Sequence, residues 1–130
     1  MITQMSITIN GTRWKVFKTD SHSPGLIADG DTCRGTCWCG DLNIFLSNEL
    51  TRATAGRTIR HELAHAWIYT TQAAIPETWS EEDVCELIAI YAQDIAEVAQ
   101  YVLDVLWPEE VHSCSNCAAE GACHGKDSSV

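Results

Sequence analysis

Arg60-His61-Glu62-Leu63-Ala64-His65-Ala66-Trp67 constrains this chain more than any other stretch. Ile59, Leu63, Ala66, Trp67 and Ile68 supply apolar contacts at helical spacing, so the segment reads as a helix. On a helix, residues four apart are neighbours on one face. His61 and His65 can then aim two imidazole nitrogens at one metal ion. Glu62 lies about 100° around the axis from His61, which sets its carboxylate beside the ion, where a general base stands. The same letters also describe an amphipathic helix with two satisfied surface histidines. Burial separates the two readings. Two histidines and a glutamate packed among such neighbours are costly unless something satisfies them, and a metal does.

A catalytic zinc takes three protein ligands and keeps a fourth position for water, whose pKa falls to roughly 7. Two histidines leave such a site incomplete. The next helical segment offers Glu81, Glu82, Asp83 and Glu86. Glu82 and Glu86 are four apart and share a face, so one can bind metal while the other orients a histidine. Acids at a helix start are also favoured by the dipole alone, with no metal needed. Glu86 is harder to explain that way, because Leu87-Ile88-Ala89-Ile90 is apolar on every side and implies burial around it.

With 130 residues, 45% of them apolar, the chain can build one domain with a core. A net charge of −10, from 18 acidic and 8 basic residues, argues against a sequence-independent grip on nucleic acid. Met1 to Ser6 has no basic region followed by an apolar core, so no signal peptide is expected. The longest apolar stretch, Val84 to Leu106, is broken by Glu86, Gln93, Asp94, Glu97, Gln100 and Asp104, so no membrane span is expected either. The expected compartment is the cytosol.

Ile7-Thr8-Ile9 and Arg13 to Lys18 flank Asn10-Gly11, the strongest short signal for a hairpin, here over 5–10 and 12–18. Residues 20–31 read as loop, and Cys33-Arg34-Gly35-Thr36-Cys37-Trp38-Cys39-Gly40 as loop or turn. Leu42 to Ser47 reads as a third strand. Placed just before the metal helix, it is either an exposed edge that pairs with an extended peptide across the metal or an ordinary paired strand. A helix follows over about 53–71, capped by Ser47 or Thr51, with Gly56 a weak point near its start. Residues 72–78 form a linker with Pro76. A long second helix opens on Ser80 as N-cap and stops at Pro108. Its stripe is Val84, Ile88, Tyr91, Ile95, Val98, Val102, Val105 and Leu106. Residues 1–108 make the domain, and 109–130 a cysteine-bearing tail, loose unless metal orders it.

His61-Glu62-Leu63-Ala64-His65 followed by a second-helix acid resembles the gluzincin zinc metallopeptidases, and within them the small ImmA/IrrE-like metallopeptidases of bacteria and phages. That group often carries E-x-x-A-N or E-x-x-A-D with an aromatic and alanine after it. Glu82-Asp83-Val84-Cys85-Glu86-Leu87-Ile88-Ala89 is similar, with Cys85, Glu86 and Ile88 as departures. The resemblance covers roughly residues 42–95. It implies an α+β, zincin-like fold: a small antiparallel sheet of about three strands on an active-site helix and a long second helix. It implies His61, His65 and Glu82 on Zn²⁺, Glu62 as catalytic base and Glu86 as orienting group or alternative ligand. It also implies a peptide or protein substrate, such as a regulator, in the cytoplasm of a bacterial or phage-infected cell.

Seven cysteines are many for a chain in a reducing compartment, and the odd count forbids complete internal pairing. Cys114-x-x-Cys117, Cys123 and His124 could close a second, structural zinc site. Thiols from Cys33, Cys37 and Cys39 could share one with the tail, or all could be free. Cys85 reads as a small buried residue. Tyr69, Tyr91, Tyr101 and His112 are candidate oxyanion donors. The expected function is a zinc-dependent peptidase. The alternative is a metal-stabilised interaction protein with no turnover.

Overall fold

The computed structural model describes residues 1–71 and 78–109. The tail candidates Cys114, Cys117, Cys123 and His124, His112, and most of the linker lie outside the described residues. The fold is α+β. Strands β1 (Gln4–Ile9) and β2 (Thr12–Thr19) form the expected hairpin, pairing Ile7 with Trp14 and Ile9 with Thr12. Asn10 and Gly11 take φ of 50° and 81°, the two positive angles that a twist-matched two-residue turn requires.

After β2 the chain leaves the sheet. It passes through a 3-10 turn, Pro24–Leu26, which buries Leu26, and a short ribbon of β3 (Ile27–Ala28) with β4 (Asp31–Thr32). It returns as β5 (Gly35–Trp38) and β6 (Asn43–Ser47), paired antiparallel. The sheet order is β1-β2-β6-β5, and β6 runs parallel to β2, with Val16 opposite Ile44. This corrects two expectations. The sheet is four-stranded and mixed, because the excursion over residues 20–34 lets β6 re-enter alongside β2 in the same direction. The stretch expected to be loop or turn contains strand β5, which forms the edge beside β6; of the two readings of the third expected strand, now β6, the ordinary paired one holds, since it is interior.

Helix α1 (Arg52–Thr70) has Thr51 as N-cap. Thr54 N donates to Thr51 Oγ1 at 3.2 Å and Thr51 N donates to Thr54 Oγ1 at 2.9 Å. It packs on β5, β6 and β1. Ala55, Ile59, Leu63 and Ala66 meet Ile9, Trp14, Val16, Ile44 and Leu46 in one core. Helix α2 (Glu81–Leu106) starts as expected, with Ser80 and Asp83 in a reciprocal cap. It reaches the core through its C-terminal half, where Ala99, Val102 and Leu106 are buried.

The end of α2 is tied down. Trp107 Nε1 donates to Leu50 O at 2.8 Å, and Lys18 Nζ donates to Leu106 O at 2.8 Å while lying 4.5 Å from the Trp107 ring centre. Arg52 donates to the Trp107 carbonyl, and to Asp104 at 2.8 Å. These cations meet carbonyls that a helix C-terminus leaves without partners. The first turns of α2 are different. Ile88 and Ile90 are 58% and 54% exposed, and Val84, Cys85 and Glu86 are exposed too. The expected all-round burial of Leu87 to Ile90, and of Glu86 and Cys85 with them, is therefore corrected. The helix meets the core only from about Tyr91 onward, so an apolar pattern there does not become burial. Among the described residues no helix is long and apolar enough to cross a membrane.

Candidate functional site

Helical spacing brings His61 and His65 together as expected. Their ring centroids lie 5.0 Å apart, with planes at 76°. Both rings belong to exposed residues, whereas Glu62 is buried at 6% exposure. The burial argument thus applies to the glutamate and not to the histidines, which stand on the rim of α1 rather than under it. Burial raises the Glu62 carboxyl above its ordinary range, opposed in part by His61. His65 is lowered, by its own partial burial first and by His61 second, which favours the neutral imidazole that a metal requires.

Two adjoining cavities use these residues. One, of about 290 Å³, is walled by Cys33, Cys37 and Cys39 with Gly35 and Trp38 on one side and His61, Glu62 and His65 on the other. The second, of about 450 Å³, shares Gly35, His61 and Glu62 and continues along α1 past Arg57 to Arg34. Strand β5 is what α1 faces across both. Side chains alternate along a strand, so Gly35 and Cys37 share one face and Thr36 and Trp38 the other. Thr36 Oγ1 and Trp38 Nε1 both donate to Gly25 O, which fixes β5 on the 3-10 turn. Cys37 and Cys39 are half-buried, with sulfurs 3.8 Å apart. Burial, then Cys39, then Glu62 push the Cys37 thiol up.

The acids of α2 do not join this group. Glu82 and Glu86 are both exposed, and among the described residues no three His, Cys, Asp or Glu are gathered closely enough to hold a metal ion. Nor does Tyr69, Tyr91 or Tyr101 line either cavity; Tyr69 instead packs edge-on against Trp14, 6.2 Å between centroids. Cys33, Cys37 and Cys39 were expected only at a second site with the tail; their place opposite the histidines, and Gly35, Trp38, Arg34 and Arg57 around them, were not foreseen. The available signal was Cys37-x-Cys39, whose spacing puts two thiols on one face if the segment is extended.

The donor chemistry suits a zinc-class ion: two imidazoles a turn apart, a thiol pair and a buried carboxyl on one cavity. In the positions described, these donors stand as separate pairs. Comparisons with protein-family models, with curated proteins and with solved structures found no match.

Proposed function

We propose that this protein is a zinc-dependent peptidase, similar in its central motif to the ImmA/IrrE-like metallopeptidases. The reading rests on one observation above the others: a buried carboxyl, Glu62, between two accessible imidazoles on the wall of a cavity. His61 and His65 would hold the ion. When bound, such an ion polarises a carbonyl and acidifies water.

The rest falls to the chain itself. Glu62 accepts a proton from the attacking water and returns it to the leaving amine. Its raised proton affinity makes it a stronger base towards that water than an exposed carboxylate. The edge strand β5 offers a backbone ladder to an extended peptide, laid along α1 and past Glu62. A protein substrate in the cytoplasm, such as a regulator, completes the reading. Glu82 is the third donor that the resemblance implies, with Glu86 beside it, and both are exposed on α2.

A second reading, a zinc-stabilised interaction protein with no turnover, draws on the exposed Val84, Ile88, Ile90 and Tyr101 of α2. One substitution separates the two. Glu62→Gln should leave metal content unchanged and abolish cleavage of a peptide library followed by mass spectrometry. Full cleavage by that variant overturns the proposed mechanism, and no cleavage by the metal-loaded parent or by its Cys39→Ser form supports the interaction protein.

A further inference from the structure

The cavity beside His61 and His65 has a second pair of soft donors. We propose that the Cys37 and Cys39 thiolates ligate the same divalent ion as His61 and His65, in place of an acid from α2. The inference deepens the metallopeptidase reading and rests on it for the ion.

Three observations carry it. Cys37, Cys39, His61 and His65 all line one cavity of about 290 Å³, while Glu82 and Glu86 line neither cavity at the motif. The two sulfurs stand 3.8 Å apart. Two thiolates on one tetrahedral zinc, each at about 2.3 Å, are separated by about 3.8 Å, so the pair already has the spacing that a shared ion needs. Two thiols in simple contact have a similar separation, so the spacing alone does not decide the matter. The third observation is placement. Cys37 shares the α1-facing side of β5 with Gly35, and Gly35 abuts Glu62, which sets the thiol pair opposite the histidine face. Loading must draw the two pairs together, since no three donors are gathered as described.

Two imidazoles and two thiolates make a closed structural set. Such a centre has no position for water until a thiolate leaves. On the peptidase reading it is therefore a resting form; Cys39 lies in the turn beyond the end of β5.

Cobalt(II) tests this without reference to activity. Fully reduced protein, loaded with one equivalent, should show a near-ultraviolet sulfur-to-cobalt charge-transfer band. The band should vanish in Cys37→Ser/Cys39→Ser, weaken in Cys39→Ser alone, and persist in Glu82→Gln/Glu86→Gln and in Cys114→Ser/Cys117→Ser/Cys123→Ser. Cobalt affinity of the Cys37/Cys39 variant should fall more than about tenfold, beyond the least loss seen for an outer-shell partner. Circular dichroism shows whether each variant is folded. If the double variant does not fold, Cys39→Ser together with a zinc-edge X-ray absorption measurement of the parent decides, with a sulfur shell near about 2.3 Å expected. A parent that binds cobalt through His61 and His65 with no such band, or a band that survives loss of both thiols, overturns the inference and leaves the peptidase reading intact. A parent that binds no ion, or binds it equally well after His61→Ala/His65→Ala, removes both.

Discussion

Gly35 on β5 lies against Glu62 on α1. A methyl group added to Gly35 would sit 3.1 Å from Glu62 Cγ and 3.2 Å from its Oε2, and 2.7 Å from Thr58 Cγ2. The absence of a side chain here lets the strand approach the helix closely enough to wall the cavity. Gly35→Ala must shift Thr58 and Glu62 or lift β5 away, at a cost of about 1–3 kcal/mol for the overpacked contact. Urea unfolding should register that loss. On the proposed mechanism, hydrolysis should fall further than stability does, because the displaced group is the base. A variant with parental stability and parental turnover would show that the contact is slack.

Glu62 gives a pH-dependent prediction for the metal-free protein. Its folded carboxyl is raised by burial, so the native state favours the protonated form. The stability gained by holding that proton is fully present below the unfolded value, ordinarily about 4.3, and is lost as pH rises through the folded one. Glu62→Gln keeps the neutral shape at every pH. It should therefore raise the melting temperature at neutral pH, with the gain shrinking towards zero in acid. A gain that is uniform across pH would refute the assignment.

Trp107 closes the C-terminal end of α2 through its 2.8 Å hydrogen bond to the Leu50 carbonyl, both residues being buried. Trp107→Phe retains much of the apolar area and abandons that carbonyl. The expected loss is about 1–3 kcal/mol, seen as a lower urea midpoint with an unchanged slope. Lys18 also stacks over this ring, so Lys18→Met in the Trp107→Phe background should cost less than in the parent.

Gly56 was expected to weaken α1 near its start, and it is buried. A methyl there would meet only Arg60 Nη1 at 3.5 Å and Leu103 Cδ2 at 3.8 Å, which is ordinary contact. Gly56→Ala should stabilise the protein by about 0.5–1 kcal/mol through helix propensity. Thermal melting of the two forms at matched pH measures it.

What could be read from the chain alone was whatever local chemistry determines. Asn10-Gly11 specifies its turn and Ser80 its helix start, because each acts on backbone groups within a few residues, while the start of α1 was open between Ser47 and Thr51 until the structure put the cap on Thr51. The histidine pair follows from the helical repeat in the same way. The parallel pairing of β2 with β6 was not legible, since it joins segments across an excursion that carries no strong strand pattern of its own. The role of β5 was hidden for a related reason. Thr36 and Trp38 favour a strand, but the run is only four residues long, opens on a glycine and sits among cysteines and turn residues, and the ladder comes from Asn43 to Leu46 opposite it. On α2 the apolar pattern around Ile88 states which residues a neighbour would cover. It does not say whether a neighbour is there, and among the described residues Ile88 is left 58% exposed.

The sheet order has a consequence for how the cavity behaves. β5 is joined to the sheet along one side only, through β6, whereas α1 is embedded in the core. Amide exchange should thus be fastest on the strand wall and slowest on the helix wall. The gap between them widens only if the β6 ladder frays and the Thr36 and Trp38 bonds to Gly25 O break with it, while the core stays closed.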